Sequence, residues 1–207
     1  MKKVIVKEEI KKNKYKYIFL ITIIILGIIT GIIFSNILSY NDKKDITITI
    51  ENYILNLKNN NIDYISNLIN SLSINFIYIL LIFIFSLSII GIILNPFILY
   101  FKSFIIGFSI GIMINIYTYK GIILGILSIF PHQLLNLLMY LFVSFYGIKL
   151  SIKLFSLIFL KKQFNFSLYI KKYLKVIGIS SIILIISALY ETFLSDFIIK
   201  VFTFLIK

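Results

Sequence analysis

An all-α, polytopic integral membrane bundle of five crossings plus one half-helix is the fold class predicted by this sequence, and three observations predict it. Of 207 residues, 60% are hydrophobic and only 14% charged, with a mean hydropathy of +1.02, whereas soluble domains run nearer half apolar and a quarter charged. Uncharged apolar runs recur at about 20 residues, the length that crosses a hydrocarbon core of ~30 Å as a helix. The Lys residues, which supply every basic charge, gather between these runs, as the positive-inside rule requires. The net charge of +13 therefore reads as topology and contact with anionic membrane lipids, not nucleic acid. The absence of Cys excludes disulfides, thiolate nucleophiles, iron–sulfur clusters and Cys-based zinc sites.

Residues 1–16 carry Lys2, Lys3, Lys7, Lys11, Lys12, Lys14 and Lys16 against Glu8 and Glu9, which puts this end in the cytoplasm. Residues 17–38 form the first span. Their apolar core is too long for a signal peptide, so they read as an uncleaved anchor. Residues 39–73 hold Asp42, Asp45, Glu51 and Asp63 against Lys43, Lys44 and Lys58, the balance of an extracytoplasmic loop. Within it Ile54, Leu57, Asn61, Ile65, Leu68, Ile69 and Leu72 fall mostly at three- and four-residue steps, an amphipathic helix that packs on its own bundle, lies on the outer leaflet or meets a partner. Ile65, Leu68, Ile69 and Leu72 are the candidate partner contact.

Residues 74–207 are the rest of the bundle. The second span, 74–94, returns inward to Asn95-Pro96, where Pro96 suits the first turn of the next helix. The third span, 97–116, is interrupted only by Lys102, read as one turn inside the cytoplasmic end with its ammonium reaching the headgroups. Residues 121–130 are ten apolar residues ended by Pro131. At about 15 Å they are too short to cross, so they read as a half-helix. Residues 133–160 form the fourth span and 161–175 a Lys-rich cytoplasmic loop. Residues 176–194 form the last span and 195–207 an amphipathic tail outside. A full crossing at 121–130 would carry the Lys-rich loop outside, against the charge rule.

Few residues can carry chemistry. The small pairs Gly27/Gly31, Gly107/Gly111 and Gly121/Gly125 let helix backbones approach closely. The last two pairs point to the third span packing on the half-helix, with a homodimer seam as the alternative. His132 follows Pro131 at a helix break, a place to cap helix ends, bridge helices or relay protons. Ser128 lies four residues earlier but lacks a third group, so no hydrolytic dyad is read there. Glu191 is an acid well inside a span and so a functional candidate, or a packing group paired with Lys120 or His132. His132, Glu191 and Asp196 are too few and dispersed to predict a metal site, and neither a phosphate-binding loop nor a dinucleotide fingerprint is present. No cofactor and no enzymatic activity are expected.

The order of these features resembles the stage II sporulation protein M family. The resemblance is carried by Asn95-Pro96-Phe97, the block from Lys102 through Phe104, Gly107 and Phe108 to Gly111, Gly121 with Gly125, Ser128 to Gln133 around Pro131-His132, and Ala188 to Glu191. Members of the wider family often carry a Glu shortly after the Pro-His pair, where this chain has Asn136. The resemblance implies a non-enzymatic membrane scaffold of endospore formation that recruits two cell-wall hydrolases, the stage II sporulation proteins D and P, to the septum for engulfment. The alternative, from a different class, is a small transporter or lipid-moving protein using the half-helix, His132 and Glu191. His132 and Glu191 meeting in a water-accessible cavity favours transport. Their burial against glycine-lined helices favours scaffolding.

Overall fold

The computed structural model describes residues 13–59, 61–161 and 163–205. Most of the basic segment 1–16 and the end of the tail lie outside them. Six helices follow in chain order. They are α1 (Lys14–Ile37), α2 (Tyr40–Lys58), α3 (Tyr64–Ser86), α4 (Gly91–Tyr117), α5 (Tyr119–Leu160) and α6, which is α-helical over Phe166–Leu189 and Asp196–Leu205. Within α5 the residues Gly125–Ile129, and within α6 the residues Tyr190–Ser195, form π-helical turns. All except α2 are long and apolar enough to cross a membrane. The described residues therefore form an all-α polytopic bundle with five candidate crossings.

Local chemistry sets the ends. Ser39 caps α2 by accepting from the Asp42 amide and donating to the Asp42 carboxylate at 2.6 Å, and Lys58 lies in the last turn, complementing the helix dipole. Asp63 caps α3 by accepting from the amides of Ile65 and Ser66. Because that cap precedes residue 64, the second span starts ten residues earlier than the apolar run implied and takes in residues 64–73 of the expected external loop. Asn165 caps α6 through the Leu168 amide. Lys171, Lys172 and Lys175 therefore lie on the first turns of α6, and the expected 161–175 loop shrinks to the few residues before Phe166.

Two breaks fall elsewhere than expected. The turn between the second and third spans is at residues 87–90, and Asn95 and Pro96 are buried inside α4. A side chain at Gly91 would collide with the Phe85 carbonyl, so the glycine permits this tight reversal. Pro96, in the second turn, removes the single bond its amide would give the Ile92 carbonyl. Residues 121–130 are not a separate half-helix either. The chain reverses at Thr118 (φ 53°, ψ −129°) and then runs as one helix of 42 residues to Leu160. At 1.5 Å per residue that is about 63 Å, enough for a full crossing with turns to spare. Pro131 is absorbed just after the π turn, and the carbonyl its missing amide would have met, Leu127, accepts instead from the Tyr190 hydroxyl at 3.4 Å.

The most extensive helix pair is α1 with α4. The central core joins Leu20, Ile79, Leu99, Tyr140, Phe145, Tyr173 and Leu184 from the spanning helices. A second cluster of Ile54, Leu57, Leu124 and Ile199 fixes α2 onto the start of α5 and the end of α6. Exposed apolar side chains such as Ile25, Ile29 and Ile33 on α1 form the lipid-facing surface.

Candidate functional site

The two π turns lie against each other. A π turn widens a helix locally, and such turns occur often at functional sites. The α6 turn contains Glu191, and the α5 turn ends three residues before His132. His132 Nε2 stands 3.9 Å from Glu191 Oε1. The Ser71 hydroxyl donates to Glu191 Oε2 at 2.5 Å, Gln133 Nε2 lies 3.1 Å from His132 Nε2, and Ser187 donates to the His132 carbonyl at 2.9 Å. His132, not Lys120, is thus the group that faces Glu191. Ser128 donates to the Leu124 carbonyl at 2.7 Å, so its hydroxyl belongs to the helix.

These groups open onto a cavity of about 340 Å³, lined also by Tyr53, Asn67, Asn70, Ser109, Thr192, Ser195 and Asp196. At its rim Tyr53 Oη donates to Asp196 Oδ1 at 2.6 Å. Burial, and then the bond to Asp196, push the Tyr53 hydroxyl far above its usual range, so it remains a donor at any physiological pH. Among the described residues no three His, Cys, Asp or Glu cluster to hold a metal ion.

Lys102 does not reach the headgroups. It is 6% exposed, with Nζ 4.8 Å from the centre of the Tyr78 ring and 6.0 Å from that of Tyr140, because α4 begins eleven residues before it. Tyr140 in turn donates to Asn75 Oδ1 at 2.6 Å. Nearer the opposite end of α5, Asn95 donates to Ser86 Oγ at 2.8 Å, Ser86 and the Tyr173 hydroxyl are bonded at 2.9 Å, and Ser151 donates to the Ser86 carbonyl at 3.1 Å. The sequence reading passed over this interior. Its signal was His132, Asn136, Tyr140 and Ser144 recurring every fourth residue of one apolar run.

Gly107 and Gly111 serve a different contact from the one expected. A Cβ at Gly107 would strike the Ile28 carbonyl and one at Gly111 the Ser35 side chain, while Gly27 and Gly31 meet the α4 backbone at Tyr100 and Phe104. The third span therefore seats on the first. Gly121 does meet α4, at the Met113 carbonyl, but Gly125 has only Ile110 Cγ2 at 4.0 Å. Ile65 and Ile69, on the first turns of α3, are 72% and 58% exposed. Leu68 and Leu72 on the same turns are half-buried, so the four do not form one surface stripe.

No curated protein and no solved structure matches this chain. A family model described as Stage II sporulation protein M matches residues 19–196, a stretch that reaches all five candidate crossings and includes both π turns and the His132–Glu191 pair. The chain is therefore a multi-pass membrane protein that belongs to the stage II sporulation protein M family.

Proposed function

We propose that this protein is a non-enzymatic membrane scaffold of engulfment that recruits the peptidoglycan hydrolases, stage II sporulation proteins D and P, to the septal and engulfing membranes. Family membership supports a role in sporulation. The observation that carries the scaffold reading is α2, the helix that is not a crossing. Ile54 and Leu57 bury it against Leu124 and Ile199, Tyr53 ties it to Asp196, and Ile48 and Leu55 stay about half exposed, at 45% and 52%. A helix fixed on one face and open on the other is a docking platform, and Ile65 and Ile69 add exposed apolar surface at the same end of α3. On this reading α2 lies outside the cell, with a cytoplasmic N-terminus and an external C-terminus. An impermeant thiol reagent applied from outside then labels Asn59→Cys and spares Gln163→Cys; the reverse pattern inverts the topology.

Affinity capture of the protein from sporulating cells, scored for hydrolases D and P, tests the scaffold. The wild-type chain retains both, and the Ile65→Asp/Ile69→Asp double variant, inserted at normal levels, loses them. An empty wild-type capture ends the scaffold reading. Capture unchanged by the double variant moves the contact to α2.

One observation favours a second reading, movement of a small solute: His132 and Glu191 share an open polar cavity at an interruption of two spanning helices, the kind of place where transporters bind substrates.

A further inference from the structure

Below the cavity, polar side chains continue through the bundle along α5. His132 is 3% exposed, Tyr140 1%, and Asn136, Ser144 and Ser151 are 0% exposed. From His132 to Ser144 the spacing is four residues, so each lies about 6 Å below the last, and Ser151 follows two turns further on. They connect three bonded clusters. The first is Glu191, His132, Gln133 and Ser71 at the cavity. The second is Tyr140 with Asn75, beside Lys102. The third is Ser86, Asn95, Tyr173 and Ser151, which abuts Gly147, three residues beyond Ser144.

The two gaps between these clusters each hold one polar side chain without a protein partner. Asn136, between the first and second, has neither its amide oxygen nor its nitrogen bonded, and Ser144, between the second and third, has a free hydroxyl. Leaving such groups unpaired in a buried site costs about 1–3 kcal/mol each, and ordered water is their usual complement. Two of them, fully buried at the two gaps of an otherwise bonded series, mark places for single waters that would join the clusters.

We infer that the cavity and the α5 stripe together form a proton path, with Glu191 and His132 at its cavity mouth and Lys102 at its middle. This deepens the solute-moving reading and rests on it. The ionisable groups facing the path are Glu191, Asp196 and Tyr173 from α6, His132 and Tyr140 from α5, Lys102 from α4, Tyr78 from α3 and Tyr53 from α2. Each hop breaks one O–H or N–H bond as it forms the next. A proton taken up by the Glu191 carboxylate passes to His132 Nε2 and leaves from Nδ1 to water at Asn136. The Lys102 amine takes it as an ammonium and releases it toward Ser144 and the Ser86–Tyr173 cluster, from which it leaves to water at the 87–90 turn that follows Ser86. One proton crosses, the membrane's own gradient drives it, and no other reactant is consumed. The path favours a proton over a metal cation because beneath the cavity it is one side chain wide. A cation without its water needs a shell of several oxygens at once.

The test uses the purified full chain in vesicles of phosphatidylcholine and phosphatidylglycerol containing pyranine, with a potassium gradient and valinomycin setting the interior negative. Wild-type vesicles acidify inside faster than protein-free vesicles. Lys102→Met and Asn136→Leu fall to the protein-free rate, while Asn136→Asp, which restores a proton-bearing group, and Ser180→Ala, a buried α6 serine off the stripe, keep the wild-type rate. Size-exclusion profiles in detergent confirm that the variants are folded. A wild-type rate equal to that of protein-free vesicles overturns the path, as does wild-type flux that both stripe variants leave unchanged. The broader cavity reading is judged separately, by engulfment in Glu191→Gln cells. Failure there without proton flux leaves a different solute, and success there without flux removes both.

Discussion

The seam between α1 and α4 and the interior shared by α3, α5 and α6 are built from the same Ile-, Leu- and Phe-rich chain, yet they solve opposite problems. In the seam, Gly27, Gly31, Gly107 and Gly111 remove side chains so that backbones touch. Polarity is sparse there and joins the same two helices: the Thr30 and Tyr100 hydroxyls are bonded at 2.9 Å, and Asn115 donates to the Ser35 carbonyl at 3.1 Å. Between lipid-bathed helices no hydrophobic force favours association, so close packing with these two bonds is what holds α1 to α4. In the interior the side chains are large and polar, two helices open into π turns, and Lys102, His132, Glu191 and Asp196 all lie within spanning segments. Ionisable groups at such depth are costly and are kept for function by default. The seam therefore reads as anchorage and the interior as the working part.

The largest expected effect breaks the seam. Gly107→Ile or Gly111→Ile inserts a branched side chain where the facing atoms are the Ile28 carbonyl and the Ser35 side chain. Overpacking commonly costs about 1–3 kcal/mol, and a backbone neighbour leaves Gly107 little room to relax. Thermal unfolding in detergent should drop sharply for both and hardly move for Ile110→Leu, a volume-conserving change on the same helix. Equal melting of all three removes the close contact.

The next effect separates structure from chemistry inside. Glu191→Leu strands the Ser71 hydroxyl and His132, an unpaired-group cost of about 1–3 kcal/mol, and should impair engulfment through a damaged bundle. Glu191→Gln keeps the shape and can still accept from Ser71. On the scaffold reading it supports engulfment at a protein level equal to wild type by blot. A fully expressed but inactive Glu191→Gln protein shows instead that titration was needed, and transfers the weight to the solute path.

The legibility of the two regions also differs. The five crossings were readable because each is a long apolar run with few charges. The ends were not, because caps such as Asp63 and the reversal at Thr118 are decided by one residue's backbone against a background of uniform hydrophobicity. Pro131 looked like a terminator since a proline in a helix interior normally breaks it. The π turn before it, which no apolar period announces, lets the helix continue. The small pairs were visible but their partners were not, since spacing shows that a helix has a flat face without saying which neighbour fills it. His132 and Glu191 stood out as rare ionisable residues. Lys102 was misplaced because its depth depends on α4 beginning at Gly91, and the Asn136, Tyr140 and Ser144 series was hidden by treating the fourth span as merely apolar.

The smallest expected effect lies at the joint between the two regions. Thr118 connects α4, which carries the seam, to α5, which carries the stripe, and it adopts φ 53° with ψ −129°, a conformation that a β-branched residue rarely takes and glycine takes freely. Its amide bonds the Ile114 carbonyl at 2.8 Å and its carbonyl accepts from the Gly121 amide at 3.1 Å; both are backbone bonds that a substitution retains. Strain of this kind is worth about 1–3 kcal/mol, offset by the roughly 0.5–1 kcal/mol that glycine's added freedom costs on ordering. Thr118→Gly should therefore raise the detergent melting point modestly, by the equivalent of about 1 kcal/mol. Thr118→Val, branched in the same way, should not. Gly111 lies seven residues back along α4, about 10 Å away, far enough for the two changes to add. Thr118→Gly placed on Gly111→Ile should then recover the same increment that it gives the wild-type chain. A gain seen only in the Gly111→Ile background would mean that the reversal and the seam are coupled, and that the joint belongs to the anchorage instead of standing between the two regions.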